Sequence, residues 1–108
     1  MRPSDRGQVL TLLFKPGVVE LDDETRVKLT DIAAKAKSDD RRMQIQAFAG
    51  GGKISASEIR RISLKRALAV RMHLIEEGVR STRIDVRALG PPLDDGPEDR
   101  VDLILLEN

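Results

Sequence analysis

Cysteine is absent from this 108-residue chain, which excludes disulfides and thiolate chemistry and leaves the redox compartment open. Histidine occurs once, as His73; one imidazole makes a poor metal centre, and inside a helical pattern it reads as a surface or boundary residue. Aromatics amount to 2%, namely Phe14 and Phe48. The core therefore has to come from Leu, Ile, Val and Ala, and single-stranded nucleic acid would find no stacking platform. Neither sign of charge dominates. Nineteen Lys and Arg against 18 Asp and Glu leave a formal net charge of +1, so no global field draws the chain to nucleic acid or to anionic lipid. No apolar run approaches the roughly 18 residues needed to cross a bilayer, and the opening MRPSDRGQ does not read as a signal peptide.

What is present, 40% hydrophobic and 34% charged residues, suits one domain with a single core. Pro3, Ser4, Asp5, Arg6 and Gly7 read as a linker or tail over residues 1–7, ahead of a domain over 8–108. Such a start favours a piece of a longer exported chain over a cytosolic protein.

QVLTLLF, residues 8–14, is an apolar run with little alternation, as expected of a strand covered on both faces or lying in mid-sheet, and Pro16-Gly17 stops it. Asp22 can cap a helix whose first turn holds Asp23 and Glu24 and whose apolar face is Leu29, Ile32, Ala33 and Ala36. MQIQAF alternates Met43, Ile45 and Ala47 against Gln44 and Gln46, a strand with one buried face. Ser55 and Glu58 have the spacing of a capping box, so a second helix begins there and runs to Gly78. It carries two apolar stripes: Ile59, Ser63, Ala67, Val70 and Leu74, expected against the sheet, and Leu64, Leu68, Met72 and Ile75, expected against the first helix or else a partner surface. RIDVRAL and RVDLILL are the last two strands, joined by the loop GPPLDDGPED. The order is strand, helix, strand, helix, strand, strand.

Gly50-Gly51-Gly52-Lys53 has the context of a phosphate loop but not its motif, because Ile54 follows the lysine where Ser or Thr is required. The glycines read instead as a mobile loop over residues 50–54. No Ser-His-acid set can be assembled beyond His73, and no motif places a pair of carboxylates. A non-catalytic domain without a cofactor is expected. Arg60, Arg61, Lys65 and Arg71 spread around the helix without aromatic company, which speaks against nucleic acid as a partner.

Taken together, these segments resemble the OmpA-like domain family of OmpA, MotB and peptidoglycan-associated lipoproteins. The opening strand ending in Phe14, its turn, and the helix with Leu29-x-x-Ile32-Ala33 are similar to the start of that family. Ile62, Ser63, Arg66, Ala67 and Val70 follow its Leu-Ser-x-x-Arg-Ala-x-x-Val helix, with Leu74, Gly78 and Gly90 in step, and DRVDLIL resembles its closing strand. The resemblance implies an α/β sandwich with two helices on one face of a mixed sheet. It also implies a periplasmic setting within a longer exported or membrane-anchored protein, and non-covalent binding of the peptidoglycan stem peptide without membrane insertion by the domain itself.

Family members hold diaminopimelate with an Asp in the loop after the second strand and the Arg of the helix motif. A carboxylate meets the ammonium of this zwitterion and a guanidinium its carboxylate. By resemblance the candidate ligand-binding positions are Gly51, Ser63, Arg66 and Arg100. Arg66 matches the Arg, but Gly51 stands where the Asp belongs, and Ile59 where Asn is frequent. Peptidoglycan binding is thus expected to be weakened or lost. The alternative for Arg66 is an internal pair with Asp94, Asp95, Glu98 or Asp99. The alternative for the whole domain is a protein-interaction or homodimerisation module that uses the Leu64, Leu68, Met72, Ile75 stripe.

Overall fold

The computed structural model describes residues 8–36, 41–50 and 54–106. Its elements are β1 (Gln8–Leu13), α1 (Asp23–Ala36), β2 (Met43–Phe48), α2 (Ala56–Glu76), β3 (Ile84–Gly90) and β4 (Arg100–Leu105), with a 3-10 turn over Ser81–Arg83 before β3. Local chemistry sets the ends. Thr25 N–H donates to the Asp22 carboxylate at 2.8 Å, capping α1, and Glu58 N–H donates to Ser55 Oγ at 3.2 Å, capping α2. At the far end of α2, Gly78 adopts φ +104°, which lets its N–H reach Ile75 O and the Val79 N–H reach Leu74 O, both at 3.0 Å. That left-handed cap turns Val79 inward, where it is buried.

The four strands form one mixed sheet in the order β1-β4-β2-β3. β4 pairs antiparallel with β1 and with β2, while β2 and β3 are parallel, as the α2 crossover between them requires. Both helices cover one face. Leu12, Met43, Ile45, Ala47, Val101 and Leu103 meet Leu29, Ala33, Ala67, Val70 and Leu74 there, all buried. The other face stays open; it carries Leu13, Phe48 and Ile104 among polar groups that partner one another: Gln46 donates to Gln44, Gln44 and Arg87 to Asp85, and Thr11 to Asp102.

Two expectations need correction. β1 is an edge strand, with Leu12 buried and Leu13 63% exposed; the mid-sheet places go to β2 and β4. The second stripe of α2 does not pack on α1 either. Leu64, Leu68 and Met72 are exposed, and only Ile75 is half-buried. His73 reaches across from α2 to α1, its Nε2 lying 3.0 Å from Thr30 Oγ1.

Candidate ligand site

At one end of the sheet the chain makes a tight turn, Lys15-Pro16-Gly17-Val18. Proline fixes its first corner and Gly17, at φ +77°, its second, and Val18 N–H closes it onto Lys15 O at 3.0 Å. The turn aims two carbonyls, those of Lys15 and Val18, at the middle of α2, where Arg66 stands.

Arg66 has no exposed surface. Its Nε donates to Val18 O at 2.7 Å, Nη2 to Lys15 O at 3.0 Å, and Nη1 both to Phe48 O at the end of β2 and to Asp99 Oδ1, each at 2.9 Å. A guanidinium carries five N–H donors, so one remains. The Phe14 ring lies under it, 4.8 Å from the guanidinium carbon. Of the four acids open to Arg66 in the sequence, Asp99 is its partner. The register explains the choice: Phe48 stands opposite Arg100 in the β2–β4 ladder, so the residue just before β4 arrives beside the Phe48 carbonyl. Asp99 is itself pinned, its carbonyl accepting from Phe14 N–H at 3.0 Å.

The remaining candidates lie in different surroundings. Ser63 is buried and donates its hydroxyl to Arg60 O on the same helix. Arg100, buried on the open side of the sheet, makes a two-pronged contact with Asp94 at 2.9 and 3.3 Å and donates to Asp102 at 3.1 Å and Pro97 O at 2.7 Å. It stacks on Phe48 at 4.4 Å. The hydrogen bonds from Arg100 first, and from Gly96 N–H at 2.9 Å second, hold the Asp94 carboxyl below its usual range. Gly51 lies outside the described residues, as does most of the 50–54 loop. An open cavity of about 450 Å³ separates the Pro16-Gly17 turn from the start of α2, with Glu58, Arg61 and Lys65 as its charged lining. Arg66 presents no surface to it.

Sequence reasoning missed the two phenylalanines as platforms, the Lys15 and Val18 carbonyls as acceptors, and Asp94 and Asp102 as partners of Arg100. One signal was available: Arg100 and Asp102 are two apart on a strand, hence on the same face. Among the described residues no three His, Asp or Glu side chains gather to hold a metal, and no helix is long and apolar enough to cross a membrane.

A two-layer domain with this strand order and this buried helix arginine defines an OmpA-like α/β fold. The model of the OmpA family matches residues 13–97, and the chain belongs to that family. Similar solved structures include the OmpA-like domain of FopA1 from Francisella tularensis subsp. tularensis SCHU S4, 17% identical over 92% of this chain and 75% of that one, with a TM-score of 0.76. The peptidoglycan-associated lipoprotein from Burkholderia pseudomallei is 22% identical over 88% of each chain, with a TM-score of 0.74. The C-terminal domain of Helicobacter pylori MotB is 13% identical over 93% of this chain and 86% of that one, with a TM-score of 0.80. At these identities the structures establish the fold alone. Comparison with curated proteins gives no match.

Proposed function

We propose that this chain is a non-catalytic cell-envelope domain, periplasmic within a longer exported or membrane-anchored protein and related to non-covalent peptidoglycan binders, whose hold on diaminopimelate is weakened or lost. The observation that carries this reading is the internal satisfaction of Arg66. The guanidinium expected to receive a ligand carboxylate is fully buried and already faces the carboxylate of Asp99. At the other pole of the zwitterion, Gly51 supplies no carboxylate for the ammonium. Removing one partner of a desolvated charge pair costs about 2–5 kcal/mol, which is roughly two to three orders of magnitude in affinity. A protein partner is the second reading, favoured by the exposure of Leu64, Leu68 and Met72.

The test is co-sedimentation of the purified domain with diaminopimelate-type sacculi, together with calorimetric titration by a free stem peptide. The domain stays in the supernatant and the peptide gives no saturable heat up to about 1 mM. Saturable retention at low micromolar protein, competed by the free peptide, overturns the proposal.

A further inference from the structure

We infer that the outer face of α2 is a self-association surface on which a second copy of this chain docks antiparallel. The inference is independent of the peptidoglycan reading. At 100° per residue, Leu64, Leu68 and Met72 fall within an arc of about 80°, and they are 43%, 45% and 56% exposed. They form one unbroken apolar ridge on the side of α2 turned away from the buried Ser63, Ala67, Val70 and Leu74.

The charges along the ridge say which occupant fits. Arg60, Arg61 and Lys65 are exposed beside its N-terminal half, where Glu58 of the same helix pairs with Arg61 at 3.0 Å and leaves a net excess of positive charge, while half-buried Arg71 and exposed Glu76 balance each other beside its C-terminal half. A parallel partner would set Arg60, Arg61 and Lys65 against the same cations, which is repulsive. A two-fold axis through Leu68 instead sets Leu64 against the partner's Met72 and Leu68 against its own counterpart. It also brings Arg61 within one residue, about 1.5 Å of helix rise, of the level of the partner's Glu76. Arg61 and Glu76 lie about 20° and about 80° round from Leu68, both on the Met72 side, and antiparallel packing brings like sides together, so symmetry repeats the pair at both ends. A net charge of +1 adds no general repulsion between copies. An anionic bilayer fits less well. Both aromatic residues are engaged under Arg66 and Arg100, so the ridge offers no aromatic anchor. Contact through one helix face is smaller than a standard interface, so the dimer is weak, with dissociation in roughly the high-micromolar range.

Sedimentation equilibrium from about 10 µM to about 1 mM reads this directly. The expected result is a monomer–dimer equilibrium that Leu68→Glu abolishes while the circular dichroism spectrum stays unchanged. Arg61→Glu and Glu76→Arg each weaken it about ten-fold, and the two together restore it. A monomer at every concentration, a dimer indifferent to Leu68→Glu, or a double reversal no better than the single ones overturns the inference. So does Leu68-dependent uptake on phosphatidylglycerol vesicles without dimerisation, which would give the ridge to a bilayer.

Discussion

Arg66 and Arg100 are both buried, each lies over one of the two phenylalanines, and each faces an aspartate, yet they are held in different ways. Arg66, on a helix, spends three of its donors on main-chain carbonyls from the Lys15–Val18 turn and the end of β2, and one on Asp99, whose side chain is 12% exposed. Arg100, on a strand, leans chiefly on side chains: Asp102 within the sheet and Asp94, 63% exposed, across the 91–99 loop. The first arrangement ties together backbone that would otherwise bury carbonyls without donors. The second clasps a surface loop. Arg66 is thus the more structural of the two.

Replacement by methionine separates them most sharply. Arg66→Met takes the guanidinium from the Val18 and Phe48 carbonyls and from the Asp99 carboxylate, while Lys15 O keeps the Val18 N–H, and is expected to cost about 3–5 kcal/mol in urea unfolding. Arg100→Met is expected to cost about 1–3 kcal/mol, because Asp94 returns to water and Asp102 keeps the Thr11 hydroxyl. Equal losses would break the comparison. Smaller again, Ser55→Ala removes the α2 cap for about 1 kcal/mol in the same measurement. The least effect belongs to the Asp94–Arg100 clasp. With its folded value depressed below 3.8, Asp94 contributes fully above that pH and loses its contribution as pH falls through the folded value. Thermal melts from pH 5 to pH 2 of the natural protein and of Asp94→Asn should therefore converge at the acid end.

Much of this was legible in the residues. The element order, both N-caps and the Gly78 stop follow from local chemistry, which acts over a few residues and leaves its mark in short spacings. The edge position of β1 did not, because QVLTLL carries the apolar run of an inner strand and strand neighbours are chosen by long-range pairing. The outer stripe of α2 misled for a related reason: helical spacing reveals that an apolar face exists, not which element covers it. In the site, the sequence reduced the partner of Arg66 to four acids, and only the β2–β4 register singles out Asp99. The carbonyls around Arg66 belong to the backbone, which every residue shares, so no residue pattern could announce them.

The central claim is that Asp99 closes the Arg66 site from inside, and the most direct measurement is sacculus co-sedimentation of four proteins: the natural chain, Gly51→Asp, Asp99→Ala, and the two substitutions combined. On the proposed reading, Gly51→Asp supplies a carboxylate for the ammonium but leaves Arg66 facing Asp99, while Asp99→Ala removes the one carboxylate among the four acceptors of Arg66 and leaves the ammonium unmatched. Only the combined protein should pellet with the cell wall, more tightly than either single variant by about ten-fold or more. Retention of Gly51→Asp alone, as strong as that of the pair, would show that Asp99 blocks nothing; failure of the pair to bind would show that these two residues do not decide whether the domain holds the cell wall.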